Sequence, residues 1–526
     1  MNLFLRVKRL LTTIWYLKFT QIYYRVYYGI RKKIRVLVRH TYPLNIESKT
    51  ASLVLLPSLL PYETMKNNSF TFLNQIYTYP MNAIDWNYAQ YGKLWTYNLN
   101  YFDYVLQDNV SKEVGLTLIH DYINKLDIVT DGLMPFPISL RGINWIKFLV
   151  KNQIEDKSID DSLYAQYYIL LDTLEYNILG NHLLENGFSL LFASYYFENE
   201  VFYKKAENIL EQELEEQILD DGAHYELSPM YHQIMLFRIL DCINLIQNNN
   251  WKNRALLLLL QKKAKVMLGW LEYITFSNGH IPLFNDSTNK IAPITHELNQ
   301  YAQRLAIGTQ NIRLLSSGYR KVTKENYELI VDVGNIGPDY IPGHAHSDTF
   351  NFELYIKGVP IIIDTGLSTY ESNARRQEER STMSHNTVMV NKEEQSEIWG
   401  GFRVAKRAKI VHLDEGKDTI SATHNGYLHK NILHTRKFIT KEHKITIMDK
   451  LKSKKKYQAI AYLHFHPDID VTLHGSKLEC EYFTLEASSD ITMVMYDYSP
   501  EFNTRIKAQC ATIVFSSNLE IELTVK

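Results

Sequence analysis

Two histidines around one alanine, His344 and His346, stand with Asp348 at the entrance to an apolar hairpin in GHAHSDTFNFELYIKGVPIIIDTG, residues 343–366. Imidazoles and carboxylates move protons near neutral pH or hold divalent cations, so this spacing is where chemistry is expected. Phe350, Phe352, Leu354 and Ile356 alternate, which predicts a half-buried strand; Lys357-Gly358 makes a turn, and the return run delivers Asp364. A third imidazole, His385, precedes another β-branched run in STMSHNTVMV. Two histidines and a carboxylate suit zinc in ligand type, and the same residues also suit ordinary hydrogen-bonded loops.

The first half of the chain offers two further constellations. LGNHLLENG sets Asn181 and His182 after a glycine break, where they could meet a ligand or act as helix cap and exposed first-turn residue. DGAHYELSPMYHQIML crowds His224, Tyr225, Glu226, Ser228, Tyr231 and His232 ahead of a helix whose cap and first residue read as Ser228 and Pro229. In FPISLRGINWIKFL, Arg141 beside Trp145 could grip a carboxylate or sulfate, or pair within the fold.

Those residues must be positioned by two kinds of scaffold. Segments such as DDSLYAQYYILLDTLEYNIL, FSLLFASYYFEN, QIMLFRILDCINLIQNN and NRALLLLLQKKAKVMLGWLEYIT carry apolar residues at helical spacing, which predicts a helical array or toroid over residues 85–305. From residue 310 to 526 the runs are short, β-branched and punctuated by turn pairs, which predicts an antiparallel sandwich. A shared site then falls in the cleft between the two. Residues 1–84 remain as a basic helical segment and linker.

The 526 residues exceed one ordinary core, and 45% hydrophobic with 22% charged residues is a globular composition. A net charge of -1 disfavours a nucleic-acid partner. Three scattered cysteines make no disulfide framework. Residues 1–40 hold ten Lys or Arg and no acidic residue, yet no clean signal sequence and no spanning segment. The expectation is a cytoplasmic protein, with peripheral contact at the inner membrane face through this segment.

In chain order, GNHLLENG, DGAHYELSPMYH, the 343–366 stretch and STMSHNTVMVN resemble the heparinase II/III family of polysaccharide lyases, over roughly residues 85–450. The resemblance implies an incomplete (α/α) toroid followed by an antiparallel β-sandwich. It implies that Asn181 and His182 engage the substrate carboxylate, that Tyr231 and His344 are catalytic, and that His346, Asp364 and His385 bind a structural metal, usually zinc. Arg141 is a looser match to a substrate-contacting position; Trp145, His224 and Glu226 join it as substrate-binding candidates.

The implied reaction is β-elimination on a uronate-containing polysaccharide. A C5 hydrogen α to a carboxylate is weakly acidic, so the carboxylate charge must be offset, a base must take the proton and an acid must protonate the C4 oxygen. Tyr231 could do both on one sugar face, once nearby positive charge favours its deprotonation, and His344 could serve the opposite face of the C5 epimer. The alternatives are a uronate C5-epimerase, in the manner of the similar dermatan-sulfate epimerase, and a non-catalytic carbohydrate-binding assembly protein.

Overall fold

The computed structural model describes residues 3–80 and 83–526, with the side chains of residues 3–5 left aside. Helices Lys93–Tyr101, Lys112–Asn124, Pro135–Asn152, Lys157–Asp172, Gly180–Tyr196, Glu200–Gln217, Pro229–Asn248, Ala255–Ile274 and Thr295–Arg304 follow one another with short connections. Helix Gly180–Tyr196 leaves only His182 short of full burial. Chain reversals are locally encoded. Asp156 and Asn199 accept backbone N–H groups at their helix starts, caps worth about 1 kcal/mol each.

Residues 319–525 form three antiparallel sheets of four or more strands and a two-stranded pair, Ile398–Trp399 with Arg403–Val404. One has eight strands, beginning at Ile410–Gly416 and ending at Thr472–His474. A four-stranded sheet contains Ile491–Tyr498, Ile506–Phe515, Ala459–His464 and Val388–Val390. Another runs Tyr319–Thr323, Tyr327–Asp332, Phe352–Ile356 and Val359–Ile362 in sequence order. The toroid and sandwich layers match the sequence expectation, and the predicted hairpin at Lys357-Gly358 is present, both residues with positive φ.

Two expectations need correction. Phe352–Ile356 is buried along its whole length, not on one face. The helical domain covers its second face: Tyr355 stacks on Phe276 with centroids 3.7 Å apart, and Glu353 accepts the Leu283 N–H at 2.8 Å. One core therefore runs from the helices into this sheet, taking in Tyr319, Ile330 and Tyr355, while a second fills the sandwich. Residues 1–84 are also more than helix and linker. After helices Leu3–Trp15 and Phe19–Leu37, the strands Met65–Lys66, Ser69–Phe72 and Gln75–Thr78 form a small meander. Its turns place Asn67, Leu73 and Asn74 at positive φ, and Asn74 reaches Glu501 and the Phe502 carbonyl of the sandwich at 3.0 and 2.9 Å.

Candidate active site

A cleft of about 470 Å³ lies where helices, meander and sandwich meet, lined among others by Asn181, Glu185, Tyr231, Arg238, Tyr370 and Phe502. Tyr231 stands in the first turn of Pro229–Asn248, whose start is fixed by Ser228 accepting the Tyr231 N–H at 3.2 Å. His344 arrives from the sandwich side, and its ring packs on Tyr231 with centroids 4.0 Å apart. A pyranose does not fit between rings in contact. Phenol and imidazole therefore present a common edge to one side of a substrate, where the sequence had suggested opposite faces.

Asp286 organises this edge. It accepts His344 Nδ1 at 2.9 Å and His346 Nε2 at 2.8 Å, and the Arg376 guanidinium closes on both its oxygens. Burial alone would raise its carboxyl, but Arg376 and the two imidazoles hold it well below the usual range. An ionised Asp286 keeps the His344 proton on Nδ1 and leaves Nε2 as the basic nitrogen, 3.4 Å from Glu226 Oε2. His344 and His346, two residues apart, do not point to opposite sides as they would along an extended strand. The segment is a turn, and both rings converge on one carboxylate.

Tyr231 bears on the acid–base assignment. Burial raises its phenol, Asp286 and Glu226 add to that, and Tyr370 and Arg376 oppose it without reversing it. A deprotonated phenol requires dominant positive charge nearby. Two carboxylates stand beside Arg376 instead, and the phenol is held as an acid.

Asn181 lines the cleft as the second residue of Gly180–Tyr196, so it is not the helix cap. Gly180, at φ +65°, lets the chain close so that Asn181 N–H donates to Glu226 Oε1 at 3.1 Å; a Cβ there would stand 2.9 Å from that oxygen. His182 pairs through Nδ1 with Glu175 at 2.9 Å. Burial lowers its pKa, but Glu175, joined by Glu226 and Glu185, raises it above the ordinary value, which suits a cationic partner for a carboxylate.

Three substrate-binding expectations are overturned as direct contacts. Arg141 is fully buried, donating to Gln166 Oε1 and to the carbonyls of Asn100 and Gly132. Trp145 is equally buried, edge-on to Phe102 and Tyr122. His224 is buried against Gln217 at 3.0 Å. A run of apolar neighbours around Arg141 was the signal for this interior role. Glu226 is buried too, but it touches His344 and Asn181 and so belongs to the site. Asp286, Tyr370 and Arg376 were not singled out from the sequence.

His346, Asp364 and His385 are brought close. His385 Nδ1 meets Asp364 Oδ2 at 2.8 Å, and the two imidazole centroids are 5.2 Å apart. Among the described residues no three His, Cys, Asp or Glu side chains stand ready around a common point for a metal ion. The leftover atoms are informative. His346 Nδ1, His385 Nε2 and Asp348 Oδ2 are buried without a hydrogen-bond partner.

Comparison with known proteins agrees with this architecture. The family model described as heparinase II/III N-terminus matches residues 158–310, and that described as heparinase II/III-like, C-terminal, matches residues 307–523. A curated heparin-sulfate lyase of Bacteroides stercoris is 25% identical over 243 residues, 41% of this chain and 36% of the relative, so the match spans about a third of that protein. Among solved structures, heparinase III superposes with a TM-score of 0.64 at 15% identity, over 85% of this chain and 80% of the other. A heparan sulfate lyase from Pedobacter heparinus gives 0.55 at 14% identity, over 87% and 81%. Chondroitin AC lyase of Streptomyces coelicolor A3 gives 0.52 at 7% identity, over 83% and 74%. With toroid, sandwich and both family segments in place, the chain belongs to the heparinase II/III-like family.

Proposed function

We propose that this protein is a polysaccharide lyase that cleaves a uronate-containing, glycosaminoglycan-like polymer by β-elimination. The observation that carries the reading is the packing of His344, held by Asp286, on Tyr231, a residue of the cleft wall. His344 Nε2 takes the C5 proton, and Asp286 and Glu226 stabilise the imidazolium that results. His182 and Asn181 offset the uronate carboxylate as charge moves onto it. The C4–O bond breaks as its electrons leave with oxygen, and the Tyr231 O–H protonates that oxygen. Because both groups approach from one side, the reading favours a glucuronate-type sugar, whose C5 hydrogen and O4 share a face. Matching relatives named as heparin-sulfate and chondroitin lyases support this substrate class.

The test is incubation of the full chain with a panel of acidic polysaccharides, zinc present, followed by ultraviolet absorbance of 4,5-unsaturated uronate. Product is expected from glucuronate-rich polymers. Solvent deuterium at C5 without chain cleavage would instead make the protein an epimerase, and no change in any polymer would make it a binding protein.

The reading includes a structural divalent cation, zinc by ligand type, held by His346 and His385 with carboxylate from Asp364. Each imidazole keeps one buried ring nitrogen without a hydrogen-bond partner, the atom a histidine offers a metal. Asp348 Oδ2 adds a further unpartnered oxygen. When bound, the cation would brace the loop carrying His344. Purified protein is expected to hold about one equivalent of zinc by elemental analysis, and chelation to lower its melting temperature; His385→Ala should lose the metal. Metal-free protein with an unchanged melting temperature under chelation would refute it.

A further inference from the structure

The N-terminal helices are amphipathic the wrong way round for a surface helix. Phe19–Leu37 buries a single residue, Gln21, and meets the body mainly through polar groups, with Tyr24 stacked on Tyr176. Gln21 Nε2 donates to the Ile178 carbonyl at 2.9 Å, Arg25 Nε to that of Asn177 at 3.1 Å, and Tyr28 Oη to that of Leu174 at 2.6 Å. Arg31 and Arg35 both pair with Asp172. Outward, at helical spacing, stand Phe19, Ile22, Tyr23, Val26, Ile30 and Ile34, all exposed, Phe19 to 81%. Leu3–Trp15 repeats the pattern: Arg9 pairs with Glu397 and Thr13 accepts Trp399 Nε1–H, while Leu10, Leu11, Ile14 and Trp15 face out, Trp15 at 86%. A solvent-facing helix normally hides its apolar stripe. Here the polar stripe is spent on the body, and a continuous apolar face is left for something else.

Charge identifies what covers it. The first 40 residues carry ten Lys or Arg and no acid, leaving 47 basic against 58 acidic residues in the remainder. Exposed Arg6, Lys8, Lys32, Lys33 and Arg39 flank the apolar stripes. At the end of the second helix, a hollow of about 460 Å³ is lined by Arg31, Lys32, Arg35, Arg39 and His40. A second copy of the chain would bring like charges together, whereas an anionic lipid surface satisfies both the stripe and the cations. No described helix is long and apolar enough to cross a membrane. We propose that helices Leu3–Trp15 and Phe19–Leu37 dock this protein flat on an anionic phospholipid surface, apolar faces inserted at headgroup depth and basic residues on the phosphates.

The test is flotation of the full chain with vesicles of phosphatidylcholine containing about one third phosphatidylglycerol, against phosphatidylcholine alone. Binding is expected only with the anionic lipid, and weakens with added salt. Each basic residue near such a surface multiplies binding roughly fivefold, so Lys32→Gln/Lys33→Gln is expected to weaken it about 25-fold. Trp15→Glu/Phe19→Glu, on the apolar face, should abolish it with the thermal melt unchanged, since neither side chain is buried. Absence of binding, or equal binding to neutral vesicles, would overturn the proposal. So would a concentration-dependent dimer that the same apolar-face variant dissolves, which would assign the face to a second copy.

Discussion

Tyr231→Phe is expected to lower turnover on a glucuronate polymer by about 10²–10⁴-fold, with KM and the melting temperature near those of the wild type. The substitution removes one oxygen and keeps the ring that packs on His344. The lost hydrogen bond, to Tyr370 Oη at 3.2 Å, joins two hydroxyls and contributes about 1 kcal/mol. If Tyr231 only stacked on sugars, phenylalanine would serve equally well. The pH profile carries the same information. An acid must be protonated to work, and its contribution is lost as pH rises through its pKa. Burial, with Asp286 and Glu226, raises that pKa above the ordinary phenol value, so the phenol should impose no alkaline fall in rate below about pH 10. Initial rates between neutral pH and that limit, on the wild type, check the sign.

Asp286→Asn is expected to damage stability and turnover together. It leaves the Arg376 guanidinium, itself fully buried, without its carboxylate, and breaking a buried pair from one side costs about 3–5 kcal/mol. It also releases the Nδ1 proton of His344, so the imidazole loses its fixed tautomer. Stability and turnover should fall together, the latter with no change in the residues touching sugar. The carboxyl is depressed in the folded state. Its stabilisation is therefore full above the unfolded value of about 3.9 and is lost as pH falls from there toward the lowered native value. The gap between wild type and variant in urea midpoint should be constant near neutrality and narrow only below about pH 4. A variant with wild-type midpoint and rate would show that Asp286 is not the organising group.

Much of this site was readable from types and spacing. His344, His346 and Asp364 sit around a hairpin whose alternation and Lys-Gly turn are local signals, and Ser228-Pro229 fixes the helix that presents Tyr231. Asp286 was not readable, because Asn285-Asp286 looks like any polar turn; its partners lie 58, 60 and 90 residues away. Arg376 sits in NARRQEER, a run with the charge pattern of a solvated helix, yet its guanidinium is buried on Asp286. Arg141 failed the other way. Its aromatic neighbours suit a ligand clamp, and the same neighbours make a core in which backbone carbonyls satisfy it. The meander at residues 65–78 escaped because strands of two to four residues carry too little alternation to register. The inverted helices of residues 3–37 show a limit of periodicity: it locates an apolar stripe without saying which way the stripe faces.

The most direct measurement is single-turnover release of unsaturated uronate from a glucuronate polymer by the wild type, Tyr231→Phe, His344→Ala and the double variant. If phenol and imidazole act on one sugar as a unit, each single change removes nearly all of the rate, and the double variant is little slower than the slower single one. A wild type that forms no unsaturated product, or a single variant that keeps the wild-type rate, would contradict the account.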